Sequence, residues 1–365
     1  MTIQAPFYAD HVGSLLRPER LKQARKDYKT GKISLADLKQ VELEEVTRVV
    51  EKQIEIGLEV VTDGEFRRDW WHLDFLENLN GIEGYVPDRG YSFKGVETEA
   101  YHVRNIGKIS FNPEHPFIND FIELNKIVAG RAVVKQTIPS PNQLFREGIF
   151  NSEIYPDYEA YAVDIIQAYR DAIKAFYDAG VRYLQLDDVN FAVLASPEID
   201  FDSGPYKREY LIELAVRVVN EILADKPEDL KVTTHICRGN YQSTYAFTGS
   251  YEYIAPTVFA NEKVDGFFLE YDDERSGGFE PLKHIPHGGA KVVLGLITSK
   301  RGELEDVDEV KARIKEAAKY VPLEQLCLSP QCGFASTHHG NLLTEQDQWN
   351  KLEHVVKIAK EVWGK

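Results

Sequence analysis

The stretch HICRGN, at 235–240, sets His235 two positions from Cys237 in a chain of 365 residues with only three cysteines. Imidazole nitrogen and thiolate sulfur both bind borderline metal ions, but two ligands do not hold one. Glu270 ends the run VDGFFLE, and Cys332 follows LCLSPQ. Together His235, Cys237, Glu270 and Cys332 offer nitrogen, sulfur, oxygen and sulfur. Zn2+ accepts all three donor types, usually four ligands in a tetrahedron. Thiolates weigh against Mg2+ or Ca2+. The spacing is not that of a zinc finger, so only the fold can bring the four together. Each residue also has a plainer role: a packed thiol, a hydrogen-bonded loop histidine, a solvated carboxylate, a turn cysteine. Cys327 lies within an apolar run and reads as core.

The elements that must position these residues alternate along the chain. Apolar, β-branched or aromatic runs at 7–14, 58–65, 131–140, 182–188, 230–236, 264–271, 290–298 and 324–330 read as strands. Amphipathic segments at 33–57, 157–180, 206–226, 307–321 and 344–363 read as helices, the first with Ser34 at its N-cap and Gly57 at its end. The helix after the sixth strand is poorly marked. Near-continuous apolar strands joined by helices imply parallel pairing buried on both faces. Eight such units predict a (β/α)8 TIM barrel, a single domain over 1–365. An open doubly wound sheet is the runner-up, but no G-x-G-x-x-G or P-loop is present. Residues 80–112, rich in Gly and aromatics, read as hairpins inserted after the second strand, and 239–262 as a long Tyr- and Thr-rich loop.

Barrel chemistry sits at the C-terminal ends of the strands. In chain order these ends carry His11 and Ser14, Asp63 and Glu65, the Pro139–Pro141 turn, Asp187 and Asp188, His235 and Cys237, Glu270 with Asp272 and Asp273, Ser299 and Lys300, and Cys332. The candidate metal ligands therefore end the fifth, sixth and eighth strands, which a closed barrel sets close together. Glu65 also has plainer partners in Arg67 or Arg68, and Asp187 a plainer role as a helix N-cap.

The totals bound the function. A formal net charge of −16 repels nucleic acid and anionic lipid, so neither is expected as a partner. Three cysteines are not a disulfide framework and suit a reducing compartment. The N-terminal stretch lacks a secretory pattern, and no apolar run is long enough to cross a membrane. A cytoplasmic protein is the expectation.

Six motifs, HVGS (11–14), TDGE (62–65), LQLDD (184–188), HIC (235–237), FFLE (267–270) and SPQCGF (329–334), together resemble the catalytic half of cobalamin-independent methionine synthase. They occur in the family's order and span nearly the whole chain. The resemblance implies a uroporphyrinogen-decarboxylase-like barrel that binds Zn2+ through His235, Cys237, Glu270 and Cys332. It implies that Glu65 and Asp187 act on the amino group of homocysteine. The Gly13–Ser14 backbone would take its carboxylate, with His11 in the same substrate-binding motif. The implied reaction is methyl transfer to the homocysteine thiol, giving methionine. The donor would be methyltetrahydrofolate, a methyl-corrinoid, free or on a corrinoid protein, or another methyl compound. Related short barrels resemble enzymes that alkylate coenzyme M with epoxides. That thiol bears a sulfonate and no amine, so Glu65 and Asp187 favour an amino-acid thiol. Two features depart from the long enzymes. Ser299 and Lys300 stand where they place a histidine after the seventh strand, and IPSPNQLF (138–145) lacks their pterin-stacking tryptophan. Trp70 and Trp71 are candidates for a different apolar wall, or for packing onto the barrel rim.

Overall fold

Local signals set most of the helices. In the computed structural model, which describes residues 3–364 apart from 147 and 202, α1 (Glu19–Lys29) precedes α2 (Leu35–Glu55). Ser34 and Asp37 cap α2 reciprocally, and Gly57, at φ 93°, turns the chain out of it. The short β1 (Val60–Val61) and the single turn α3 (Leu73–Leu76) follow. Then β2 (Asn80–Tyr85), β3 (Ser92–Phe93), β4 (Val96–Glu97) and β5 (His102–Ser110) form two antiparallel pairs, β2 with β5 and β3 with β4. Helix α4 (Pro116–Val128) starts on a proline, where the missing N–H costs nothing, and leads to β6 (Val133–Pro139).

Strand and helix then alternate. The order is α5 (Tyr158–Asp178), β7 (Tyr183–Asp188), α6 (Asn190–Ala195), α7 (Arg208–Ile222), β8 (Lys231–Ile236), α8 (Ala255–Asn261), β9 (Gly266–Glu270), β10 (Lys291–Ile297), α9 (Val307–Ala317), β11 (Leu326–Pro330) and α10 (Glu345–Trp363). Between β9 and β10 the chain makes two 3-10 turns in place of a helix. This explains the weak helical pattern there. No helix among the described residues is long and apolar enough to cross a membrane.

The result is an α/β fold on a curled parallel sheet of seven strands, ordered β1-β6-β7-β8-β9-β10-β11. Every residue of β7, β9 and β11 is buried, as strands covered on both faces must be. The expected first strand, 7–14, is not a strand. It makes one parallel bridge, Ala9 to Leu328, and on its other side only Leu15 N–H donates to the Gly64 carbonyl, at 3.0 Å. The reason lies in Asp10. Its carboxylate accepts the N–H groups of Phe7 (3.2 Å) and His11 (2.7 Å), which a ladder would otherwise use.

Asp10 also anchors the segment to the sheet. Its Oδ1 lies 2.7 Å from Lys135 Nζ, and its Oδ2 accepts from Tyr183 Oη at 2.9 Å. Lys135 donates further to the His11 carbonyl and to Gln185 Oε1, and lies 4.5 Å from the Phe268 ring centre. Both charged side chains are wholly buried. Burial pulls the Lys135 pKa down, against the stabilising pull of Asp10. Removing one partner of such a pair strands the other charge, at about 3–5 kcal/mol. Lys135→Met is therefore expected to lose about that much in urea unfolding. Lys135→Met with Asp10→Asn should recover part of it. A loss below about 1 kcal/mol in the single variant would show that the pair does not hold the segment.

Candidate metal and substrate site

The register of the parallel sheet brings the four expected ligands together. On β8, His235 pairs with Asp187 of β7 and Phe268 of β9, and Cys237 lies just past the strand. Glu270 is the last residue of β9, and Cys332 lies two residues past β11. All four side chains are buried, and one donor atom from each lies within 4.8 Å of every other. The two sulfurs are 3.5 Å apart. That is far beyond a disulfide bond of about 2.05 Å. It is close to the ~3.7 Å separating two sulfurs that share one zinc at about 2.3 Å.

Each donor is oriented by a neighbour. His235 Nδ1 lies 3.4 Å from the Phe268 carbonyl, so a proton there leaves Nε2 as the free lone pair. That Nε2 is buried without a hydrogen-bond partner. The Gly239 N–H donates to Cys237 Sγ at 3.2 Å. Asn240 Nδ2 donates to the Gly333 carbonyl at 2.7 Å, tying the loop of one cysteine to that of the other. The hydrogen bond from Cys237, with help from His235, pulls the Cys332 thiol down to about 5, while Cys237 is pushed up by the same contact and by burial. The contact thus favours a thiolate at Cys332 and a thiol at Cys237. Glu270 is also held at both oxygens: Oε1 accepts the Arg238 N–H at 3.0 Å, and Oε2 accepts Arg275 Nη2 at 2.6 Å. Burial would raise its pKa, but Lys300, Arg275 and His235 outweigh it and keep the carboxylate ionised.

Glu65 and Asp187 line a cavity of about 340 Å3 beside Cys237, Cys332 and His235. Of its two plainer partners Glu65 meets Arg68: Oε1 accepts from Thr137 Oγ1 at 2.9 Å and lies 3.4 Å from Arg68, while Oε2 is buried with no partner. Arg67 instead faces Glu42, Asp63, Asp120 and Glu123. The N-cap alternative for Asp187 falls to its neighbour, since Asp188 Oδ1 accepts the Phe191 N–H at 3.0 Å. Asp187 accepts from Gln185 at 2.8 Å. Burial pushes the Asp187 pKa up to about 7, and Glu65 adds to the rise. A cation between the two carboxyl groups would let both ionise.

Ser14 lines the cavity, and Gly13 precedes it at φ 138°, where a Cβ would meet Thr137 at 2.8 Å. The opposing Gly333 is equally constrained, because a Cβ there would fall 1.9 Å from Ser14 Oγ. His11 stands apart. Its ring is buried off the cavity with both nitrogens unpartnered, and burial and Lys135 hold its pKa down, to about 4. Arg238 likewise points away from the cavity, over the Tyr251 ring at 4.2 Å, whereas Asn240 lines it. Ser299 Oγ donates to the Gly333 carbonyl at 3.0 Å and so braces the Cys332 turn.

Trp70 and Trp71 both line the cavity, and Trp71 stacks on His72 at 4.4 Å. Tyr91 and Phe93 from the 80–112 region, Arg146, and Tyr241 and Phe247 from the loop after β8 complete the wall. These residues carried no motif. Their only signal was aromatic enrichment in two long loops. Arg275, the partner of Glu270, had no signal at all.

A family model for the catalytic domain of cobalamin-independent synthases matches residues 7–361. The uncharacterized protein YxjG of Bacillus subtilis is 52% identical over 364 residues, covering 98% of this chain and 95% of that one. A Listeria monocytogenes structure, provisionally named a vitamin-B12-independent methionine synthase, superposes with a TM-score of 0.80 at 46% identity, covering 99% of both chains. The methionine synthase of Sulfolobus acidocaldarius is 26% identical over 347 residues, or 95% of this chain and 89% of that protein. The chain belongs to the family of cobalamin-independent synthase catalytic domains.

Proposed function

We propose that the protein transfers a methyl group to the thiol of homocysteine, giving methionine, with zinc held by His235, Cys237, Glu270 and Cys332. The observation that carries this reading is the convergence of four buried donor atoms, one the orphaned His235 Nε2, beside the paired carboxyl groups of Glu65 and Asp187. Zinc, when bound, stabilises a substrate sulfur as the thiolate at neutral pH. The remaining tasks fall to the chain. Glu65 Oε2 and Asp187 take the substrate ammonium, which satisfies an otherwise unpaired buried oxygen and the mutual repulsion of the two acids. The Gly13–Ser14 backbone takes the carboxylate. The aromatic wall excludes water and orients the donor for in-line attack. A sulfur–carbon bond forms, the donor's bond to methyl breaks with its electron pair staying on the donor, and the thiol proton is released.

Methyltetrahydrofolate and a methyl-corrinoid, free or protein-borne, are the donors this site is proposed to use. The chain is read as one catalytic barrel, with 7–14 as its eighth stave and 80–112 as an insertion roofing the mouth. A reducing cytoplasm suits its three free cysteines.

Cys332→Ser is expected to lose the one equivalent of zinc held by the cysteine-containing site and to abolish methionine formation, with both sulfhydryls of the wild-type site shielded from thiol reagents until a chelator is added. Asp187→Asn should keep its zinc yet raise the KM for homocysteine roughly 100-fold, because a buried charge partner is lost. Full zinc retention by Cys332→Ser in elemental analysis would refute the ligand set.

Arg275 supports Glu270 from outside the ligand set. Such partners typically tune metal affinity by about 10–100-fold. Arg275→Met should weaken zinc binding by that factor in chelator competition. The KM for homocysteine in the zinc-loaded variant should stay at the wild-type value. Unchanged zinc affinity would show that the arginine serves only the loop.

A further inference from the structure

A second cluster of metal-ligating side chains stands on the rim of the cavity, apart from the four residues above. Glu99 follows β4 in the 80–112 region, and His338 and His339 follow the Cys332 turn. One donor atom from each lies within 4.8 Å of the other two. The distances are informative. His338 Nε2 lies 3.9 Å from Glu99 Oε2, and His339 Nε2 lies 3.5 Å from Glu99 Oε1. Both exceed the 2.7–3.2 Å of a good N–H···O bond, so the three groups surround a gap and do not close it themselves. Bonds of about 2.1 Å to one ion place tetrahedral ligands ~3.4 Å apart, near the observed separations.

The bed beneath the cluster is built. The His338 N–H donates to the Asp69 carbonyl at 2.8 Å, and Trp70 bridges to Thr337. Tyr241 meets the His339 ring edge-on at 5.5 Å. Thr337 Oγ1 lies 3.4 Å from His339 Nδ1, which fixes the ring with Nε2 toward Glu99. His338 Nδ1 is buried with no partner, so this ring too lacks a satisfying contact within the protein. The two imidazole rings lie 3.9 Å apart, tilted by 35°. Side-chain exposures of 64%, 29% and 25% for Glu99, His338 and His339 leave room for water to complete the coordination.

We propose that Glu99, His338 and His339 bind a divalent transition-metal ion of the zinc and cobalt class, separate from the cysteine-containing site. Two imidazoles and one carboxylate with open positions suit such ions and not Mg2+ or Ca2+. The ion would clip the inserted region to the loop after β11. On the far side that region is already tied to the loop after β8, where the Lys94 N–H donates to the Tyr245 carbonyl at 2.9 Å and Thr244 Oγ1 donates to the Lys94 carbonyl at 3.0 Å. The clip would add a tie on the side of the loop after β11, beside the one that Tyr101 Oη makes to Glu77 Oε2 at 2.5 Å.

Titration of the metal-free full chain with Co2+ tests this. A thiolate-bearing site gives an intense sulfur-to-cobalt charge-transfer band, and an imidazole–carboxylate site gives none. Wild type is expected to bind two equivalents by calorimetry, only one of them producing the band. Glu99→Gln and His339→Gln should each bind one equivalent and keep the band. Glu99 is exposed and its replacement isosteric, so that variant folds as wild type does. Cys332→Ser should bind one equivalent without the band, which separates this site from any failure of the cysteine set. One equivalent in wild type, or a second equivalent that survives in both rim variants, would overturn the proposal.

Discussion

The buried pair of Lys135 and Asp10 is the contact on which the geometry of the site depends. The segment carrying Gly13 and Ser14 has one bridge to the sheet, so backbone pairing alone cannot place it. Asp10 takes four donors at once: two N–H groups of its own segment, the Lys135 ammonium and the Tyr183 hydroxyl. Lys135 stands on β6, and Tyr183 on β7, the strand that also carries Asp187. One carboxylate thus ties the acceptor-side loop to the strands beneath it. An apolar interior would pack as densely, but it would not fix the segment's position along the strand axis.

From that base, the parallel register does the rest. Side chains two residues apart on one strand share a face, and neighbouring strands are in step. His235 therefore lies level with Asp187, and the ends of β8, β9 and β11 deliver nitrogen, oxygen and sulfur to one place. Rigid strands position the chemistry, while long loops shape access to it. The β3–β4 hairpin and the loop after β8 meet across the mouth through Phe93 and Tyr241, 5.4 Å apart. This division explains why the donors converge closely although they come from three separate segments of the sequence.

The parts legible in sequence were those with a period or a motif. Helix ends followed Ser34, Asp157 and Thr344, each of which caps the helix after it. The group of four donors that the fold brings together followed from residue type at strand ends. The rest depended on contacts that leave no local trace. The run at 7–14 looks like a strand because Phe7, Tyr8 and Val12 are apolar; the side chain of Asp10 diverts its hydrogen bonds, and hydropathy does not record that. His11 shared a motif with Ser14 and yet turns into the interior. Arg275 reaches Glu270 through a turn that could have pointed elsewhere, and Glu99 meets His338 and His339 across more than two hundred residues of chain.

The electrostatics of the cysteine site point to one further consequence. Without an ion, a buried carboxylate and the Cys332 thiolate would repel each other, and burial would favour protonating both. Arg275, at 2.6 Å, and the Arg238 N–H, at 3.0 Å, offset this at Glu270, while His235 and Cys237 offset it at Cys332. The same contacts give Glu270 a stable position independent of any ion. Of the four side chains it alone offers two oxygens, one held by a cation and the other by an amide.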